Sequence, residues 1–439
     1  MIMRLYVRII TAISLCLGAA MPLCAQDGTY SGYTPYSIFG VGDLSVPGSA
    51  YNAALGGVGI ATRNHKVINY LNPAAVTARD SLSFMADFNL RQVNKIYSQG
   101  KAVSANNTFN IESFALSFPL FPNTAMMVGM APYSNTGYGF YTTYDTDEIM
   151  GTMGDVYATS TGQGSIYQLF VGGGVRLFKH LSLGAQWNHY FGSIVKQGAL
   201  VFGESGYNGI NNGYTLKLGA DSYKAGLQYE ARISGLDVCV GATYTAAAKL
   251  RGYVEDYQFS SGSVVTDTLH FKRDTLGRTA NASLASELGF GISLGRRDKW
   301  RAEMNYTRSD WTNTGMGTTT GFSSVGTSTF APSVRQAFRG GFEYTPNLND
   351  IRYYFRRCTY RAGAYFESAY YKLDGNAINS FGITLGATLP FSRMNNGITI
   401  AADLGQRASL KGNNIRERYI GCTIVFNTHD IWFLKPRYD

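Results

Sequence analysis

From Leu82 onward the chain alternates apolar and polar side chains with a period of two, over segments longer than most strands. Leu82, Phe84, Ala86, Phe88 and Leu90 share one face, while Ser83, Asp87, Asn89 and Arg91 share the other. The pattern returns with Leu288, Phe290, Ile292 and Leu294, and then with Trp300, Ala302, Met304 and Tyr306. It recurs in Val334, Phe338, Phe342 and Tyr344, and in Phe381, Ile383, Leu385, Ala387 and Leu389. Successive strand side chains point to opposite faces, so each segment reads as a strand with one apolar face. Many run to about 12 residues or more, against ~5–6 in a sandwich and the ~9–11 that a tilted membrane strand needs.

The breaks between strands alternate in length. Short turns fall at Phe121-Pro122-Asn123, Phe178-Lys179-His180, Ser234-Gly235-Leu236, 296–299 and 393–396, with longer loops expected at about 137–162, 198–214, 259–280 and 313–332. Short turns on one side and long loops on the other mark an outer-membrane barrel. The breaks delimit about fourteen strands, an even number, as a barrel with both ends on its short-turn side requires. The predicted fold class is all-β, a transmembrane antiparallel β-barrel with an N-terminal plug. Composition agrees: charged residues are 15% of the chain and aromatics 14%, with 51 glycines. The mean hydropathy of -0.10 excludes a bundle of membrane helices but not a barrel, whose polar lumen cancels its apolar outside.

Residues 1–25 read as a signal peptide, with Arg4 and Arg8 before an apolar core and Leu23-Cys24-Ala25 at the cleavage site. Cleavage lowers the net charge from +9 to +7 and leaves Cys239, Cys358 and Cys422, too few and too scattered for a disulfide framework. The chain then divides into a signal at 1–25, an arm and plug at 26–80, a barrel at 81–427 and a periplasmic tail at 428–439. The expected location is the outer membrane of a Gram-negative bacterium, in contact with lipid and lipopolysaccharide. Nothing points to nucleic acid.

The stretch 51–84 is glycine-rich and small, and it closes on Asn72-Pro73-Ala74 just before the first strand. With Ala54-Leu55-Gly56-Gly57-Val58-Gly59 ahead of it and about fourteen strands behind it, the chain resembles the FadL family of outer-membrane transporters for long-chain fatty acids and other hydrophobic compounds. That resemblance implies a hatch inside the barrel, with Gly56, Gly57, Gly59, Asn72, Pro73 and Ala74 as its gating parts. It also implies a ligand path leaving sideways through a kinked third strand. Here that strand reads Met126-Met127-Val128-Gly129-Met130-Ala131-Pro132-Tyr133. Pro132 forfeits a ladder hydrogen bond and Gly129 weakens packing beside it, so Met127, Gly129, Met130 and Pro132 are the candidate lateral-opening residues. The sequence departs from the family in lacking a terminal aromatic residue and in its long turn between Thr345 and Arg357.

Catalytic and metal motifs are missing from the sequence: there is no HExxH, no G-x-S-x-G, no P-loop and no zinc spacing among His65, His180, His189, His270 and His429. No enzyme, metal or cofactor is expected. Charges of mixed sign on the inward parity, Arg301, Glu303, Arg335, Arg339, Glu343, Arg361, Glu367 and Asp403, read as a salt-bridge network holding the plug; the sharper alternative is an arginine that receives a substrate carboxylate. The expected function is passive transport of hydrophobic compounds such as long-chain fatty acids, with hatch gating and lateral release. The alternative is a non-transporting barrel of the PorV type, which docks proteins of a secretion machine. An apolar path from the loops to the hatch fits the first; a filled lumen fits the second.

Overall fold

The computed structural model describes residues 30–79, 82–144, 149–150, 153–203, 206–261, 266–323, 328–391, 396–409 and 414–431. The barrel belongs to the unit Ser31–Asp439. The expected signal peptide lies outside the described residues.

Fourteen antiparallel strands form a closed wall: β1 (Ser83–Gln99), β2 (Ala102–Phe121), β3 (Thr124–Tyr144), β4 (Val156–Leu177), β5 (Leu181–Phe202), β6 (Gly209–Ile233) and β7 (Leu236–Thr245). They continue as β8 (Glu287–Arg296), β9 (Trp300–Asp310), β10 (Val334–Tyr344), β11 (Thr359–Leu373), β12 (Asn376–Pro390), β13 (Gly397–Arg407) and β14 (Arg416–Ile431). Each pairs with the next, and β14 closes on β1 from Ser83↔Ile431 to Ser98↔Arg416. In hydrocarbon a backbone donor or acceptor has no water to turn to, so a sheet must close to satisfy its edges. The start of β1 and the end of β14 share one rim, here the lower rim.

The alternation read from the sequence is the in–out alternation of the wall. On β8 and β9, Leu288, Phe290, Ile292, Leu294 and Met304 are exposed outward, while Ser293, Glu303 and Asn305 are buried inward. Phe338 and Phe342 of β10 face out, whereas Arg335 and Arg339 are buried.

Three expected loops are strand instead. β3 and β4 stay paired to Tyr144↔Val156, so 137–162 is mostly ladder, and β5 and β6 pair through Gly198↔Asn212 and on to Leu200↔Ile210. The stretch 259–280 belongs largely to an accessory hairpin, Arg251–Ser261 with Thr266–Leu276, whose first strand continues the wall beside β6. The cause is length. Strands of 21 to 25 residues outrun the hydrocarbon, and beyond it the outward face no longer needs apolar side chains, so the alternation fades. The described parts of 313–332 are irregular except at Phe330–Pro332, as expected, but they fold inward and bury Met316 and Phe322 beside Trp311. At the other end β14 runs to Ile431, past the expected boundary at 427. Thr428 still pairs with Ala86 on β1, and Asn427 turns inward to Asp87 at 2.7 Å.

Lipid-facing position sets the cost of a charge here. Ile292→Arg, in the middle of the outward band, is expected to destabilise the folded barrel by ~2–4 kcal/mol, whereas Ile292→Val stays within about 1.5 kcal/mol. Urea unfolding of protein refolded into phosphatidylcholine vesicles reads the difference.

Candidate functional site

The segment before β1 packs along the inner face of the wall. Pro35–Ile38 and Pro73–Ala78 are single 3-10 turns and Ala50–Ala53 is one helical turn, all largely buried. Such small-residue elements need sockets, and wall glycines supply them. A Cβ on Gly184 would collide with the Pro73 carbonyl carbon, one on Gly226 with Asn72 Oδ1, and one on Gly363 with the Leu55–Gly56 peptide. Gly174, from the Gly172–Gly174 run, similarly faces Pro73 O; Gly172 and Gly173 face Gln186 and Ala125.

The expected gating residues are all anchored. Gly56 and Gly57 take φ of 72° and 83° after the Ala50–Ala53 turn, a conformation that favours glycine. Gly56 N donates to Thr384 Oγ1 at 2.8 Å. Gly59 has no room for a side chain between Leu71 and Asn52. Asn72 is fully buried and caps the Pro73–Ala78 turn: Oδ1 accepts from Ala74 N at 3.0 Å, while Nδ2 donates to Ile60 O at 2.8 Å and to Leu227 O on β6 at 3.2 Å. One side chain thus ties the turn, the glycine-rich segment and the wall together.

The inward charges meet the same segment. Glu303 accepts from Ala61 N at 3.0 Å and from the Thr62 hydroxyl at 2.5 Å. Tyr51 lies under Arg361, whose guanidinium is 4.4 Å from the ring centroid, and its hydroxyl accepts from Arg301. Glu343 pairs with Arg361 at 2.8 Å and Arg301 at 3.5 Å; Glu367 pairs with Arg335 at 3.1 Å and with Arg339. Each of the eight charges singled out from the sequence therefore has a partner within the lumen, Asp403 through Arg91.

A second cluster was only partly legible in advance. Arg407 pairs with Asp43 at 2.9 Å and lies 3.8 Å from Glu417, which also accepts from Thr34 and lies 3.8 Å from Lys95. Arg91 sits 3.7 Å from both Glu112 and Asp403. Glu112 reaches the lumen through a bulge opposite Asn89–Leu90, where two consecutive β2 residues face inward. Inward parity on β1, β13 and β14 signals the others; a bulge leaves no such trace.

Among the described residues the wall parts beside Pro132. The β2–β3 ladder ends at Phe114↔Met130, and β3 carries a register shift between Pro132 and Ser134, well inside the strand rather than at its rim. Above it the free edge of β3 is taken by the N-terminal arm. Asp43 and Leu44 pair with Asn135 and Ser134, Ser45 N donates to Tyr133 O at 2.9 Å, and Thr34 N donates to Gly137 O at 2.7 Å. Met127 is buried against Phe170 and Tyr70, Gly129 leaves room for the Phe170 ring, and Met130 faces outward. The four candidate residues are thus brought to one place, but they divide between lumen and outside.

Little of the lumen is empty. Its upper part is a continuous apolar core in which Tyr36, Phe39 and Val41 of the arm meet Trp311, Met316 and Phe322 of the inward loop, along with Tyr370 and Tyr371 of β11. Below it a cavity of about 170 Å³ lies against Tyr70, Leu71, Pro132 and Tyr133, with Arg335 and Glu287 in its lining. One of about 130 Å³ lies between Pro47, Val93, Tyr365 and Tyr419, and one of about 240 Å³ opens near the lower rim. There the 345–358 loop is ordered around Asp350, whose carboxyl is held below its usual range by the backbone N–H groups of Tyr353 and Arg352 and by Arg356. Among the described residues no group of His, Cys, Asp and Glu is arranged to hold a metal.

Solved structures share this architecture. The toluene transporter TodX of Pseudomonas putida is 14% identical and aligns over 89% of this chain and 100% of its own, with a TM-score of 0.57. A Pseudomonas aeruginosa FadL homologue is 13% identical over 88% and 99%, also at 0.57, and the Ralstonia pickettii toluene transporter TbuX is 14% identical over 87% and 98%, at 0.54. At these identities the likeness is one of fold, and the fold is that of the FadL-like outer-membrane β-barrels. Within that class the BamG family model matches residues 1–439, and the chain belongs to the BamG family. No curated protein matches it.

The anchoring of Asn72 sets an expectation. Asn72→Ala removes a cap and two donors, and should cost ~1–2 kcal/mol; Gly226→Val, which drives a side chain into the same turn, should cost about 1–3 kcal/mol. Both variants should speed trypsin cleavage at Arg63 and Lys66 at a denaturant concentration where the barrel is still folded, as followed by mass spectrometry.

Proposed function

We propose that this barrel docks partner proteins rather than conducting ligands, its N-terminal segment serving as a permanent plug. The observation that carries this reading is the filled upper lumen. The arm, the inward loop and the wall form one apolar core where a transport route would need an open pocket, and opening it would return Trp311, Phe322, Tyr370 and Tyr371 to water. Burial of each such side chain contributes ~1.5–3 kcal/mol, so the closed state has no nearby open competitor. The arm also occupies the free edge of β3 through which a ligand would leave.

Passive transport of hydrophobic compounds is the second reading, favoured by the parted wall and the cavity beside it. About 170 Å³ is room for a molecule of ring size, since an engineered apolar cavity of ~150 Å³ takes up benzene; a long acyl chain would require the arm to move. The solved relatives named as toluene transporters fit this reading as well.

One variant separates the two. Leu44 and Ser134 are paired across the arm and β3, and L44C/S134C joins them by a disulfide. Under the docking reading the oxidised protein keeps its partners in cross-linking of intact cells, and toluene or oleate flux into proteoliposomes stays at the level of empty vesicles before and after reduction. Flux that appears on reduction, or loss of the partners in the oxidised protein, would sink the docking reading.

A further inference from the structure

The cavity at the lower rim stands apart from the other two in its charge. Nine arginine and lysine side chains line it against four carboxylates. Two of those carboxylates, Glu230 and Glu343, are committed to Arg63 at 2.9 Å and to Arg361 and Arg301. Asp298 is shared between Lys66 at 3.1 Å and Arg297 at 3.9 Å. On the turn between β8 and β9, Arg296 and Lys299 are exposed, and Arg357 adds a buried Nε with no hydrogen-bond partner. Asp237, the fourth carboxylate, accepts from Arg297 N at 3.2 Å. Among the described residues that line it, positive charge is thus in excess, concentrated in a concave mouth where low-dielectric walls strengthen its field.

The surrounding wall narrows the choice of ligand. From β7 to β14 the ladder is continuous at this level, through Val238↔Leu294, Arg296↔Trp300, Trp300↔Tyr344, Tyr344↔Tyr360, Thr359↔Thr388, Pro390↔Gly397 and Gly397↔Asn427. A lipid headgroup has no lateral entrance, because its acyl chains would have to cross paired strands. Access is axial, from the aqueous side, which in such barrels is the periplasm. A cavity of about 240 Å³ holds a few side chains rather than a folded domain.

We infer that the lower mouth is a receptor for an acidic segment of a periplasmic partner, its carboxylates held by the 296–299 turn and Arg357. The inference deepens the docking reading and rests on it, giving that reading one site and one ligand chemistry. Arginine forks engage carboxylates bidentately, and the lysine adds unoriented attraction.

The test uses the full chain in an uncharged detergent, with fluorescent hexaglutamate followed by anisotropy, so it needs no natural partner. Hexaglutamate binding that weakens about tenfold in R296E/K299E, and steeply as salt rises, is the expected result; hexaglutamine should not bind. Both substitutions lie on an exposed turn, and the heat-dependent gel shift of a folded barrel confirms that the variant is intact. Equal binding of the two peptides, equal binding by wild type and variant, or full displacement by 10-fold lower concentrations of inorganic phosphate would each overturn the inference, the last by making it a small-anion site. Because this is measured without flux or partner capture, its failure leaves the L44C/S134C result to judge the docking reading separately.

Discussion

The whole structure depends on satisfying backbone hydrogen bonds where water is excluded. A sheet in hydrocarbon has to close, and this one closes on itself through β14 and β1. The rule is broken at Pro132, where β3 parts from β2, and the chain meets the break with its own N-terminus: residues 34–45 bond to the free edge of β3. The arm is in this sense a short extra stave laid inside the wall. Its position explains why the upper lumen is apolar. Once the arm runs up the inside of β3, its side chains need a core to sit in, and the 311–329 loop and Tyr370–Tyr371 supply it.

Below that core the lumen changes chemistry. Buried charges cost several kcal/mol each to desolvate, and the interior holds many. Most are tolerable because they are paired or hydrogen-bonded, often to the arm itself, as Glu303 is to Ala61 and Thr62. Such a network adds little net stability over an apolar filling but strongly disfavours alternative placements, since a shifted segment would strand several charges at once. The glycine sockets at Gly184, Gly226 and Gly363 act in the same direction by sterics. Specific placement of a small-residue segment, rather than tight adhesion, is what the interior encodes.

Much of this was legible in the sequence, and the failures have physical causes. Long period-2 segments reported the membrane-spanning wall because lipid outside and charge inside impose opposite preferences on alternate residues. Arg301, Glu303, Arg335 and Arg339 are therefore readable as inward-facing from the sequence alone. Where strands rise beyond the membrane that contrast disappears, and β3 to β6 looked like loops over their upper thirds. The Arg251–Leu276 hairpin was missed for the same reason, and Glu112 because a bulge shifts its parity. The apolar upper core could not be read at all: Tyr36 lies in a single 3-10 turn and Trp311 and Phe322 in irregular chain, where no periodicity announces burial.

The contact between Thr34 and Glu417 joins residues 383 positions apart. An early part of the chain is thus held by the last strand to be made. Contacts of such long sequence separation form late, after the entropy of closing the loop has been met. The arm has to wait, loosely tethered, while thirteen strands assemble around it, and its final bonds become available only when β14 arrives. Correct seating of the arm therefore reports that the cylinder is complete, which makes the N-terminus a built-in marker of finished assembly.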